Sequence, residues 1–336
     1  MVKITKKINE GITMKKIIFI CPYFGKYPNY FNLTLNSIKY NDTIDWLIIT
    51  DIKEKYDYPQ NVKVINMTFN ELREKVQSVF DFKINLDKPF KICDFRPAYG
   101  LIFREYLYNY DFWGHCDFDC IYGNLRKFLS ETVLENNDRI YYLGAMSLYK
   151  NNEGINNVFK KKIDDLTNYK KIFSDKESYS FDELGSVRIL NYYGYKIYYN
   201  YVFADIYTWS KPLKNIQTTV NFTLKKHEFK LDKIKKQIFE FNKGILKGYY
   251  LIGSYNKIYE EEYMYIHLQR RFMDNNVANI HKFLIIPNKF IDFVDNIDKK
   301  FIMQHSKENI FYKRYLKTRR SWNKRKNKLK IMFKLK

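Results

Sequence analysis

Lys16-Ile-Ile-Phe-Ile-Cys21, running into Pro-Tyr-Phe-Gly25, is a short β-branched apolar run that opens into a loop. A strand buried on both faces of a parallel sheet has this composition. Asp45-Trp-Leu-Ile-Ile-Thr-Asp51 repeats the pattern, and between the two, Phe31 to Tyr40 carries Leu33, Leu35 and Ile38 on what reads as a helix. The chain therefore opens β-loop-α-β. Val62 to Asn66 supplies a third strand, followed by a helix over Phe69–Val79 with Asn70 as N-cap and Arg73 at N3. Farther on, a helix is expected over Pro97–Tyr110, a strand over Trp113–Phe118, a helix opening at Leu125–Leu129, and strands at Arg139–Leu143, Tyr195–Tyr201 and Lys247–Ile252. Such alternation predicts an α/β fold with a mainly parallel, Rossmann-like sheet flanked by helices. Ligands of such sheets bind at the carboxyl ends of the strands.

One strand ends in chemistry. In Phe112-Trp-Gly-His-Cys-Asp-Phe-Asp119 two carboxylates stand two residues apart. On extended backbone, side chains at that spacing share a face, so Asp117 and Asp119 converge on one hard cation. Mg²⁺ or Mn²⁺ takes one or two carboxylates and completes its shell with substrate phosphates. A solvated turn is the plainer alternative. A distant neutral His is a frequent extra ligand, and His267 in Tyr263-Met-Tyr-Ile-His-Leu-Gln-Arg-Arg271 precedes two guanidinium groups suited to phosphate. Alternatively, His267 is a hydrogen-bonded residue of an amphipathic element. Lys91-Ile-Cys-Asp-Phe-Arg-Pro97 places Asp94 and Arg96 ahead of the aspartates, either to meet a donor molecule or as a surface ion pair. Ser180-Phe-Asp-Glu-Leu-Gly185 adds Asp182 and Glu183 beside apolar neighbours that would raise a carboxyl pKa, with Ser180 and Glu183 at capping-box spacing. A thiolate site from His115, Cys116 and Cys120 lacks zinc spacing.

The chain has 336 residues and a net charge of +22, enough length for one large domain with additions. The charge is concentrated at the end. Lys313 to Lys336 contains twelve Lys or Arg and no acid, interspersed with Trp322, Leu329, Ile331, Met332 and Phe333. Residues 306–336 therefore read as a basic helical tail for an anionic membrane surface, and residues 1–15 as an extension with Met14 as an alternative start. Four cysteines make a poor disulfide framework at this length. No signal-peptide core or membrane-spanning run is present, so the expected location is cytoplasmic, peripheral at the inner face of the plasma membrane. A nucleic-acid-binding protein fits the basic tail but not the terminal placement of the charge, and the usual motifs are missing; no nucleic-acid partner is expected. A metal-dependent phosphohydrolase would need more His and Asp than the pattern offers.

Cys21-Pro-Tyr-Phe-Gly25, the strand end at Asp51, Lys91–Pro97, Phe112–Asp119 and Gly123 together resemble the bacterial GT-A-fold glycosyltransferases of capsule, lipopolysaccharide and other surface-polysaccharide assembly. The likeness spans about residues 16–275 and is specific as a set. It implies a GT-A-like domain over 16–305, with a nucleotide-sugar half to about 145 and an acceptor half from 146. It implies Mn²⁺ or Mg²⁺ on Asp117, Asp119 and His267, and a nucleotide-sugar donor, UDP-sugar favoured, near Tyr23, Phe24, Asp51, Asp94, Arg96, Asp117 and Arg270. It further implies transfer to a glycan or lipid-linked glycan, with Glu183 or Asp182 as the base of an inverting reaction.

Overall fold

The computed structural model describes residues 14–208, 210–221, 226–231, 236–252, 257–306 and 318. All but the start of the expected tail, and Thr318 within it, lies outside the described residues, as does most of the N-terminal extension. No described helix is long and apolar enough to cross a membrane.

The central sheet is built from β1 (Ile17–Pro22), β2 (Ile44–Thr50), β3 (Val62–Asn66) and β4 (Phe112–Cys116), then, after the short strand β5 (Cys120–Tyr122), from β6 (Arg139–Leu143), β7 (Met146–Lys150) and β8 (Ile197–Tyr198). Their order is β3-β2-β1-β4-β7-β6-β8. The first four are parallel, and β7 alone runs against its neighbours β4 and β6. The expected mixed α/β fold with a mostly parallel sheet is what forms. Its cause is visible in the alternation of side chains. Phe19, Trp46 and Ile48 pack on one face with Phe31, Leu35 and Ile38 of α1 (Phe31–Lys39). Ile18, Ile20, Leu47 and Ile49 pack on the other with Leu72 and Val76 of α2 (Phe69–Gln77). Both faces are covered, so both sets of side chains must be apolar.

Several local expectations shift. Helix α2 is capped by Thr68, not Asn70, because Thr68 and Glu71 form a reciprocal capping box. The helix expected from Pro97 to Tyr110 is instead a 3₁₀ segment Pro89–Ala98, one helical turn Tyr99–Ile102 and a second 3₁₀ turn. Close packing accounts for part of this break: a Cβ on Gly100 would lie 2.7 Å from the Trp113 ring. The strand expected to reach Phe118 stops at Cys116. The division expected near residue 145 lies inside the β6–β7 hairpin of this same sheet.

The second half is richer in antiparallel strands than its Lys- and Tyr-heavy sequence suggests. It holds β9 (Ala204–Asp205), β10 (Ile216–Asn221), β11 (Lys226–Leu231), β12 (Lys236–Asn242), β13 (Ile245–Ile252), β14 (Lys257–Glu262), β15 (Tyr265–His267), β16 (Asp274–Asn275), β17 (Lys282–Ile286) and β18 (Lys289–Asp292). Six of these form a sheet, β14-β13-β12-β17-β18-β16, while β10 and β11 form a separate hairpin. The remaining sheet, β5-β15-β9, lies beside the end of β4.

Candidate active site

The two aspartates leave the edge of the central sheet together and then part. β4 ends at Cys116, and the Asp117 N–H makes a last bond along the same register, donating to the Ala145 carbonyl at 3.0 Å, before the chain leaves the sheet. Asp117 Oδ1 accepts from Arg96 Nη2 at 2.6 Å. Asp119 turns to the opposite partner set, its Oδ2 accepting the Arg270 N–H at 2.5 Å and its Oδ1 lying 3.3 Å from His267 Nε2. The extended-strand geometry expected from the spacing is thus absent. Both carboxylates still line one cavity with Tyr23 and Arg270.

A small sheet brings His267 to this point. Strand β15 pairs antiparallel with β5 and parallel with β9, so His267 stands opposite Cys120 on one side and Asp205 on the other. Asp205 Oδ1 lies 2.9 Å from His267 Nδ1 and also accepts from Gln269 Nε2 at 2.6 Å. Burial would depress the imidazole pKa, but Asp119 and Asp205 outweigh it and hold it well above the ordinary value. Burial would likewise raise Asp119, yet His267 and the Arg270 amide bring its carboxyl below the usual range. Ligand atoms of Asp119, Cys120 and His267 all lie within 4.8 Å of one another. Burial, with Asp119 beside it, pushes the Cys120 thiol far up, so the protein itself favours the neutral thiol there. A carboxylate and an imidazole remain, a donor set that suits Mn²⁺ or Mg²⁺. Asp205 then stands behind His267 as the carboxylate that orients a ligating ring. Asp117 keeps Arg96 on Oδ1 and has a second carboxylate oxygen to offer a cation.

Arg96 leads to a second acidic pair. Its Nη1 donates to Asp182 Oδ2 and to the Gly144 carbonyl, both at 3.0 Å. Asp182 and Glu183 sit in a single π-helical turn, Phe181–Gly185, entered through Ser180 in a left-handed conformation (φ 48°). Ser180 makes no side-chain cap, so the capping box expected there does not form. Glu183 Oε1 accepts the Gly144 N–H at 2.5 Å, while Oε2 lies 3.2 Å from His227 Nε2. Burial is the main reason that Asp182 is raised to about 7, with Arg96 opposing and Glu183 adding to the rise. Burial raises Glu183 as well, against the Gly144 N–H and Arg96.

Residues 19–294 match the Family of unknown function (DUF6625). The chain belongs to this family. No curated protein matches the sequence. Among solved structures, the galactosyltransferase LgtC in complex with donor and acceptor sugar analogs aligns at 14% identity and a TM-score of 0.33, covering 57% of this chain and 75% of that one. Glycosyltransferase GlyE of Streptococcus pneumoniae TIGR4, in its apo form, aligns at 13% identity and a TM-score of 0.26, covering 55% of this chain and 45% of that one. Likeness at this level says nothing about chemistry.

In this DUF6625 chain the other expected residues scatter by distance from the cleft. Tyr23, Phe24 and Arg270 line the cavities around Asp117. Asp51 is exposed at the end of β2 and lines none of the three cavities that meet at Asp117. Asp94 is wholly buried, bonded to Lys91 Nζ at 2.9 Å and to the backbone N–H groups of Tyr179 and Phe181. It anchors the segment that carries Asp182 and does not reach the cleft. Arg271 is also occupied, donating to the carbonyls of Lys211, Tyr207 and Ser210. His115 is 1% exposed, and burial together with Arg96 and Arg139 keeps its imidazole neutral. Sequence reasoning missed Asp205 and His227, and it took Gly144 only as the start of a sugar- or acceptor-facing loop, Gly144–Asn151, by resemblance. Asp205 carried no local signal, since only strand pairing takes it to His267. Gly144 was nearer to legible: a Cβ there would lie 2.8 Å from both Arg96 Nη1 and Glu183 Oε1.

Proposed function

We propose that this chain is a metal-dependent glycosyltransferase that moves a sugar from a nucleoside-diphosphate donor, UDP-sugar favoured, onto a growing surface glycan. The observation that carries this reading is the Asp119–His267–Asp205 chain at the carboxyl edge of the sheet, set in one cleft with Arg270 and a buried acid pair. Asp119 and His267, with Asp117, would hold Mn²⁺ or Mg²⁺. Such an ion offsets the negative charge that gathers on a departing diphosphate. Arg270, whose side chain lines every cavity around Asp117, pairs with phosphate oxygens. Tyr23 and Phe24 border the nucleotide.

Glu183 is the favoured base. Its carboxyl is buried and held by the Gly144 N–H, and a raised pKa suits proton removal near neutral pH. The acceptor oxygen attacks the anomeric carbon, its proton passes to Glu183, and the carbon–oxygen bond to the diphosphate breaks with inversion. Asp182, bonded to Arg96, is the alternative base. The twelve cationic residues from Lys313 onward support a lipid-linked acceptor at an anionic, cytoplasmic membrane face.

The test is a thermal-shift screen of UDP, GDP, CDP and their sugars with and without Mn²⁺. Metal-dependent stabilisation is expected for at least one of them and is lost in Asp119→Ala. Absence of any such stabilisation in the unaltered protein would sink the proposal.

A further inference from the structure

Three chambers meet at Asp117, and two of them hold the remaining candidate acids. Tyr23, Asp119 and Arg270 border the first, and Asp182, Glu183 and the β10–β11 hairpin border the second, of about 320 Å³. Asp117 and Arg270 belong to both, so the two chambers meet at the phosphate-binding end of the proposed donor site.

The hairpin is unusual in how it is supported. Among the described residues β10 and β11 pair only with each other, and an isolated two-stranded ribbon is marginal in water. Tyr142 Oη ties it to the central sheet by donating to the Thr218 carbonyl at 2.6 Å. Strand alternation then sorts its side chains. Thr218 lies directly across from Phe229, and His227 precedes Phe229 by two residues, so all three share the face that lines the second chamber. Lys226, Glu228 and Lys230 point the other way and are exposed. On the cleft face, Phe229 is nonetheless 64% exposed, and Phe90, lining the same chamber, is 60% exposed. Around them stand the hydroxyl and amide groups of Ser178, Ser180, Thr218 and Gln269 and the charged Arg96, Asp182, Glu183 and Arg270, whose guanidinium lies 5.7 Å from the centre of the Phe90 ring. Hydroxyl, amide and carboxylate groups beside the exposed Phe229 ring suit a polyhydroxyl ring with an apolar C–H face.

We propose that the paired strands Ile216–Asn221 and Lys226–Leu231 are the acceptor wall of the active site, with Phe229 stacking on a pyranoside and His227 shielding the Glu183 carboxylate that faces its hydroxyl. The proposal rests on the glycosyltransferase reading. The Gly144 N–H holds one Glu183 oxygen, and His227 Nε2 lies 3.2 Å from the other without bonding to it, so the ring packs over the carboxylate. His227 also covers Glu183 from water, and its own burial keeps the imidazole pKa below the ordinary value.

The experiment uses the full chain with Mn²⁺ and UDP. Saturation-transfer NMR with methyl β-D-glucopyranoside and methyl β-D-galactopyranoside should show ring-proton saturation of at least one, weakened about five- to ten-fold by Phe229→Ala. Calorimetric UDP affinity should be unchanged in that variant. The ¹³C titration of the Glu183 carboxyl should move down toward the ordinary range in His227→Ala and stay in place in Phe229→Ala. No glycoside saturation, equal saturation in wild type and Phe229→Ala, or an unmoved Glu183 titration overturns the assignment. So does a Phe229 effect confined to phosphatidylglycerol vesicles, which would make the ribbon a lipid contact. If UDP binding with Mn²⁺ also fails, the transferase reading falls with it; if UDP still binds, only the hairpin assignment does.

Discussion

Asp117 and Asp182 share one guanidinium. Arg96 Nη2 meets Asp117 at 2.6 Å and Nη1 meets Asp182 at 3.0 Å, so the residue that opens the Asp-x-Asp and the one beside the candidate base are bridged across the cleft. Arg96 is largely buried, and Asp182 more so. Removing one partner of a buried ion pair leaves an uncompensated charge and costs about 3–5 kcal/mol. Arg96→Met should therefore lower the free energy of unfolding by an amount in that range at pH 8, read from urea melts. A loss below about 1 kcal/mol, the value of a surface pair, would mean that the bridge does not exist in solution.

The same pair gives a pH signature. The folded protein binds a proton on Asp182 up to about pH 7, whereas the unfolded chain releases it in the ordinary carboxylate range. Native protein thus carries more bound protons in that window, and stability falls as pH rises through it, then levels off above about 7. The slope from one group is at most about 1.4 kcal/mol per pH unit. Asp182→Asn cannot titrate there. Its stability relative to the parent should climb between pH 5 and 7, and parallel urea-melt curves for the two proteins across that range would refute the assignment.

The buried strands and the acid-bearing strand end were legible because both obey local rules. Ile17–Pro22 and Ile44–Thr50 are apolar on both faces, and Asp117 and Asp119 follow the strand Phe112–Cys116. What the sequence hid is long-range pairing. Asp205 becomes a partner of His267 only because β9 and β15 lie side by side, and Asp94 read as a surface or ligand-facing acid although Lys91 and the Tyr179 and Phe181 backbone close over it. The extended backbone expected at Asp117 and Asp119 is absent for a nearby reason: the strand ends one residue before the pair begins, so period-two alternation no longer applies, although both still line one cavity.

Glu183→Gln tests the base directly. The amide keeps the shape and can still accept the Gly144 N–H through its oxygen, but it cannot take a proton. Transfer activity should fall about 10²- to 10⁴-fold, while Mn²⁺-dependent nucleotide stabilisation persists. If turnover survives in Glu183→Gln and is lost in Asp182→Asn, the base is Asp182.

Asp205 supplies the last test, because it acts on the metal only through His267. Its Oδ1 lies 2.9 Å from Nδ1 and fixes which ring nitrogen turns toward Asp119, whose Oδ1 is 3.3 Å from Nε2. Loss of an orienting carboxylate behind a ligating His typically weakens metal affinity about 10- to 100-fold. Asp205→Asn should therefore raise the Mn²⁺ concentration needed for half-maximal UDP binding by that factor, with saturating Mn²⁺ restoring the complex. His267→Ala should not be rescued in the same way, since it removes the ligand itself. A Mn²⁺ requirement unchanged by Asp205→Asn would mean that His267 faces no metal, and the ion would then have to rest on the aspartates alone.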